Sequence, residues 1–436
     1  MDWKSDYARK VVTAAKAMEV VKSGDRVVFA HACGEPLDLV DALVARAPEL
    51  ERVEIVHMVA MGKGEYARPE HAESFYHNSL FVGRSTQVAV SEGRGDYTPV
   101  FFYAIPDLFR KEYLPPDVML AHLSPPDRHG FCSFGISVDY TKPAAQVAKT
   151  VVAQVNPKMP RTHGDSFIHV SEIDIIVESD HDIIELPPPR IGPVEEAIGR
   201  NIASLVEDGA CLQLGIGGIP DAVLLFLHEK NDLGIHTEMF SEGVVDLYNE
   251  GVVTNRNKTI NRDKMVATFL MGTRRLYDFV DDNPMVNMFP VNVVNDPFVI
   301  GQNDRVVAIN SAIQVDLMGQ VVADTMGVTQ YTGIGGQVDF MRGAARSKGG
   351  KAVIALPSTA KKAAVSRIVA ALAPGTAVTT MRADVDYVVT EHGIAHLRGK
   401  GLRERAEALL AVADPAFQDQ IRDEAAALYG PGRLPR

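Results

Sequence analysis

Residues 20–42 read VVKSGDRVVFAHACGEPLDLVDA, and residues 205–226 read LVEDGACLQLGIGGIPDAVLLF. Both pass through a glycine (Gly24, Gly209), a short apolar run, a glycine-containing loop, a proline (Pro36, Pro220) and an apolar helical segment. The same order continues along the chain. VHMVAMGKG (56–64) matches IHTEMFSEG (235–243), setting His57 beside His236 and Val59 beside Glu238. The stretches 118–130 and 307–319 end in Asp127-x-x-Gly130 and Asp316-x-x-Gly319, and IDIIVESDH (173–181) matches VDYVVTEHG (385–393), pairing Asp174 with Asp386. One such pairing is as good as chance. Four in one order mark a diverged internal duplication.

The repeated unit is α/β. Apolar runs at 26–30, 151–155, 266–270, 305–309, 352–356 and 386–390 have the character of buried strands, and helical patterns lie between them. Pro193 suits a first helical turn, Ile198, Ile202 and Leu205 fall on one face, and Gly209 is placed to close that helix. Alternation of this kind predicts two related open-sheet α/β domains, mostly parallel and covered on both faces. The Pro-rich stretch ELPPPRIGP (185–193) places the join, giving domains 1–187 and 188–436. A chain of 436 residues is long enough for two cores.

Composition removes several classes of function. A formal charge of −12 argues against a nucleic-acid partner, since phosphate-backbone binding needs a basic face. Backbone amides still allow an anionic small ligand. The three cysteines (Cys33, Cys132, Cys211) form no CxxC pair, which points to a reducing, cytoplasmic setting. MDWKSDYARK has no signal-peptide character, and no run has the length of a membrane helix. His392 and His396 are four apart, but no third ligand accompanies them, so no metal is expected. His31 and Cys33 are too close in sequence for a productive Cys–His pair.

Three segments carry candidate chemistry. The loop LGIGGIPDA (214–222) lies between a predicted strand and helix, where ligands bind in such sheets. Its glycines let the backbone approach a ligand, although a tight strand-to-helix turn explains a GxGG loop equally well. Pro220 stands where the dinucleotide fingerprint needs a third glycine. Glu238 follows a short predicted strand at the same sheet edge, and the other copy has Val59 there. A carboxylate in one copy alone suggests function rather than scaffolding, with helix capping or a solvated surface position as the plain alternative. Glu242, in the predicted turn beyond it, reads as solvated. The third segment, TGIGGQVDFMRGA (332–344), is a glycine cluster without counterpart in the first copy, whose amides can face a developing oxyanion.

With these motifs in place, the sequence resembles the acetyl-CoA hydrolase/transferase family of class I CoA-transferases, and within it the 4-hydroxybutyrate CoA-transferases. The resemblance covers almost the whole chain. It is carried by SGDRVVFAH (23–31), SPPDRHGFC (124–132), LQLGIGGIPDAV (212–223), GIHTEMFSEGVVDLY (234–248), GIGGQVDF (333–340) and VVTEHGIAHLRGK (388–400). His392 departs from the family's frequent tyrosine, outside the catalytic motif.

The resemblance implies a CoA-transferase fold with Glu238 as nucleophile, CoA contacts at Gly215, Ile216, Gly217, Gly218 and Ile219, Gly335 and Gly336 beside the thioester, and Asn310 near the active site. It implies transfer of CoA from acetyl-CoA or butyryl-CoA to 4-hydroxybutyrate or butyrate, through a glutamyl-CoA thioester. CoA is then substrate and covalent intermediate, with no permanent cofactor. An acyl-CoA hydrolase using the same glutamate is the alternative. His31, Glu35 and GKGEY (62–66) are expected to line an acyl pocket opposite Glu238, and the family suggests a homodimer or higher homo-oligomer.

Overall fold

A computed structural model describes residues 2–430. Two compact units divide them: one runs up to Pro187 and adds Val266–Val294, the other holds Pro188–Met265 and continues from Asn295. The segment 266–294 therefore belongs with the first unit, although it follows the Pro-rich join. No helix among the described residues is long and apolar enough to cross a membrane.

The first unit is built on seven parallel strands: β1 (Arg26–Phe29), β2 (Val53–Met58), β3 (Phe75–Phe81), β4 (Gly95–Tyr97), β5 (Val118–Leu123), β6 (Thr150–Val155) and β7 (Ile175–Glu178), in the order β7-β6-β5-β1-β2-β3-β4. Helix α1 (Leu37–Ala45) buries Leu39 and Leu43 against Val27, Phe29 and Ile55. Each such leucine contributes roughly 1.5–3 kcal/mol. That is how an all-parallel sheet covers its faces.

The main sheet of the second unit has six strands: β8 (Cys211–Leu214), β9 (Gly234–Ile235), β10 (Val306–Ser311), β11 (Lys351–Ala355), β12 (Tyr387–Thr390) and β13 (Gly393–His396). Their order is β9-β8-β10-β11-β12-β13, parallel except for the β12–β13 hairpin. Strands β2-β1-β5-β6-β7 and β9-β8-β10-β11-β12 thus repeat one topology, and the units differ in what they add at the edges.

The repeat extends to single hydrogen bonds. Asp127 Oδ1 accepts the amides of His129 and Phe131 at 2.8 and 3.0 Å, and Asp316 Oδ1 accepts those of Met318 and Gln320 at 3.0 and 2.9 Å. The amides of Asp174 and Asp386 donate to Val151 and Ala352. Ladder partners agree as well: Val27 faces Ile55 and Val118, while Leu212 faces Ile235 and Val307.

One pairing moves. The ladder aligns Ile235 with Ile55, not Val56, and the amides of Gly24 and Gly209 reach Glu51 and Asn231 in the same register. Counting onward, Glu238 corresponds to Met58 rather than Val59. The first copy still has an apolar residue where the second has a carboxylate. A single-residue offset is invisible in aligned sequence but changes every ladder partner of the strand.

Three further expectations change. Helix α2 (Pro193–Ala203) has Pro193 in its first turn and buries Ile198 and Ile202, but it ends six residues before Gly209. Gly209 instead takes φ +69° in the turn into β8, as Gly24 takes φ +83° before β1. The run 266–270 is a strand only over Met265–Ala267. The glycine cluster at 332–336 is no insertion, because it leads into the crossover helix between β10 and β11, and the first unit has helix Thr141–Val147 between β5 and β6.

Candidate active site

Strands β8, β9 and β10 run parallel, so their C-terminal ends lie at one edge of the second sheet, where loops lead into helices. Glu238 stands three residues beyond β9. Of residues 233–240 it alone is not buried. Burial of Met239 and Phe240 anchors this short segment, while the carboxylate between anchored neighbours stays accessible.

Two side-chain ties hold the segment to the loop after β8. The Thr237 hydroxyl donates to the carbonyl oxygens of Leu214 and Met239 at 3.1 and 2.8 Å. The Ser241 hydroxyl donates to Asp221 Oδ1 at 2.6 Å, in the first turn of helix α3 (Gly218–Leu224). Burial raises the Asp221 carboxyl above the ordinary aspartate value, and this bond opposes the shift. Leu214 and Asp221 bracket the glycine loop, so residues 215–219 are fixed beside the segment carrying Glu238.

Within that loop, Gly217 has φ +118°, a conformation L side chains rarely adopt. Ile219 is buried at 7% exposure, whereas Ile216 is 40% exposed and presents its side chain outward. Gly215, Gly217 and Gly218 are part-exposed backbone.

The other glycine cluster reaches Glu238 directly. Gly336 caps helix α5 (Gln337–Arg346), and a Cβ placed there would stand 1.7 Å from Glu238 Oε2 and 2.3 Å from Asn295 Nδ2. Only a residue without a side chain lets the backbone approach this carboxylate. Gly335, with φ +58°, turns the chain into that approach. The helix is fastened at its start: Gln337 Nε2 donates to the Ser311 carbonyl at 2.7 Å, and Thr380 Oγ1 donates to Gln337 Oε1 at 2.8 Å.

Asn295, absent from the sequence-level candidates, completes the contact. Its Nδ2 donates to Glu238 Oε2 at 2.9 Å and lies 3.4 Å from Asp339 Oδ2, while its Oδ1 is buried with no hydrogen-bond partner among the described residues. Nothing in VVNDP (293–297) announces it; only Asp339 lay within a quoted motif. Asn310 sits one shell further out. It exchanges amide bonds with Gln213 at 2.9 and 3.4 Å, joining β10 to β8. It is a brace between strands that carry the loops.

Other sequence candidates have local partners. Glu242 is the first residue of helix α4 (Glu242–Asn249), not part of a turn. His396 Nε2 lies 3.1 Å from Asp386, and its ring stacks on Tyr387. Burial pushes the thiols of Cys33 and Cys211 up to about 11 and that of Cys132 to about 12, far from a reactive thiolate. His31 and Glu35 are both 1% exposed in the first unit, with His31 Nδ1 3.3 Å from Asp139 Oδ2 and Glu35 accepting the Gly62 amide at 2.8 Å.

A half-buried carboxylate pressed against a glycine backbone and an amide donor, beside a glycine loop at a parallel-sheet edge, suits acyl-group chemistry. Comparison with known proteins agrees. Residues 1–188 match the acetyl-CoA hydrolase/transferase N-terminal domain, and residues 272–425 match the corresponding C-terminal domain. The chain belongs to the acetyl-CoA hydrolase/transferase family, and it is an acyl-CoA:carboxylate CoA-transferase.

It is 59% identical to 4-hydroxybutyrate coenzyme A transferase of Clostridium kluyveri, over 97% of this chain and 99% of that one. It is 38% identical to butyryl-CoA:acetate CoA-transferase of Anaerostipes caccae, over 98% of each. Among solved structures, 4-hydroxybutyrate CoA-transferase from Porphyromonas gingivalis superposes with a TM-score of 0.86 at 42% identity, covering 98% of this chain and 100% of the other.

Proposed function

We propose that this CoA-transferase moves CoA from acetyl-CoA or butyryl-CoA to 4-hydroxybutyrate or butyrate by a ping-pong route through a thioester on Glu238. The observation that supports it is the placement of the Glu238 carboxylate against Gly336 and the Asn295 amide. The substrates rest on likeness to the Clostridium kluyveri and Anaerostipes caccae enzymes.

The chemistry exchanges one thioester for another. Glu238 Oε1 attacks the acyl carbonyl, the carbon–sulfur bond breaks, and CoA leaves as thiolate, giving a mixed anhydride. The thiolate then attacks the Glu238 carbonyl carbon, and the acyl carboxylate leaves. An incoming acid reverses both steps and carries CoA away. Oε2 remains the carbonyl oxygen of Glu238 and takes negative charge in each tetrahedral species on that carbon. Asn295 Nδ2 already donates to it, and one such donor is worth about 3 kcal/mol of transition-state stabilisation. In this reading the backbone at Gly215–Ile219 receives CoA, Gly335 and Gly336 lie along the thioester, and Asn310 holds the strands in register. CoA is substrate and covalent intermediate, with no permanent cofactor. The enzyme acts in the cytoplasm as a homo-oligomer, which light scattering checks.

Incubation with acetyl-CoA and then borohydride should reduce the enzyme-CoA adduct to the alcohol of the Glu238 side chain with release of CoA, seen as a changed peptide mass, and Glu238→Ala should lose both adduct and exchange. Retained exchange in Glu238→Ala would sink the mechanism. CoA release that needs no added acid would assign a hydrolase instead.

A further inference from the structure

We infer that Asp339 is a positioning residue for the transfer reaction: it holds the Asn295 amide with its NH2 group toward Glu238 while Glu238 is covalently occupied. The inference rests on the glutamyl-thioester reading above.

A terminal amide is nearly symmetric in shape, and a half-turn exchanges donor for acceptor. Here the NH2 group stands between two carboxylates, 2.9 Å from Glu238 Oε2 and 3.4 Å from Asp339 Oδ2. A flipped amide would set Oδ1 against both anions. In the resting enzyme Glu238 alone would suffice to orient it.

The reaction removes that orienting charge. Once Glu238 is acylated or bonded to sulfur, its Oε2 is a neutral carbonyl oxygen and holds the amide only weakly. Asp339 is not the group acylated in this reading, so its Oδ2 remains beside the amide through both half-reactions. It is 1% exposed in the first turn of α5, and Asn295 is fully buried, so neither swings away easily. Among the described residues the buried Oδ1 of Asn295 has no hydrogen-bond partner, so none of their donors holds it from that side. The donor for the next tetrahedral oxyanion is therefore kept aimed by an acceptor outside the reacting atoms.

The test compares Asp339→Asn, Asn295→Ala and the double variant in full-length enzyme, using acetyl-CoA with butyrate and borohydride trapping on Glu238. Wild type must first show the adduct; without it the functional reading fails, whatever Asp339 does. Given the adduct, Asp339→Asn should lower kcat about tenfold to a hundredfold, below the full loss of an oxyanion donor. KM for acetyl-CoA should stay within about threefold, since binding is not what Asp339 serves. Discharge by butyrate of enzyme-CoA that has not met borohydride should slow more than its formation. In the Asn295→Ala background the same substitution should cost nothing more. An equal loss in both backgrounds, or unchanged kcat, overturns the proposal. Should Asp339→Asn not fold, Asp339→Ser enters the same cycle with the same outcomes.

Discussion

The two units run the same five-strand topology and put different chemistry at the same place. After β9 the second unit holds Glu238, part-exposed, against Gly336. The matching register position in the first unit is Met58, the last residue of β2, 2% exposed. The loop after β8 is open glycine backbone with an outward Ile216, while the loop after β1 carries His31 and Glu35 folded inward. Both loops nevertheless bend alike. Ala32 has φ +51° three residues past β1, and Gly217 has φ +118° three residues past β8. The scaffold was copied, and what differs is whether a charge is buried or offered to solvent.

Forcing the first unit to imitate the second should be the costliest change. Met58→Glu buries an unpaired carboxylate, so at pH 8 we expect a loss of about 4 kcal/mol by urea unfolding, smaller at pH 5, and no exchange in a Glu238→Ala background. Glu35 already shows that cost. Burial pushes its carboxyl from 4.5 up to about 7, although the amides of Gly62 and Met61 pull it down. Its folded value is raised, so the folded state holds the extra proton between pH 4.5 and 7. Stability therefore falls as pH rises through that window, by about 3 kcal/mol. Glu35→Gln should remove that fall, read from urea midpoints at pH 5 and pH 8.

Smaller effects belong to the second unit. Gly336→Ala should fold normally, at φ −94°, yet lower kcat about a hundredfold, because its Cβ must displace the Glu238 carboxylate and the Asn295 amide. Wild-type kcat in that variant would remove the close approach from the mechanism. Asn310→Ala should cost about 1 kcal/mol of stability through the lost Gln213 pair, with a severalfold change in rate. If the rate fell as steeply as in Gly336→Ala, Asn310 would be a contact residue rather than a brace.

Much of this was legible in sequence because it depends on local pattern. Buried parallel strands read as apolar runs, the Asp-x-x-Gly turns repeat because an aspartate oxygen must cap nearby amides, and Glu238 stood out as a charge in one copy alone. The one-residue offset did not show, since ladder register is a property of paired strands. Nor did the helix end at Ala203, where the chain stops short of its glycine.

The sequence by itself determined the duplication, the α/β class and the singular carboxylate, because periodicity and residue chemistry survive without coordinates. Only the tertiary structure decided the neighbours of that carboxylate. Asn295 lies 57 residues from Glu238 (295 − 238), Gly336 lies 98 away (336 − 238), and β10 stands between them in the chain. No local preference encodes such distances. They are set when parallel strands align their ends and bring remote loops to one edge of a sheet.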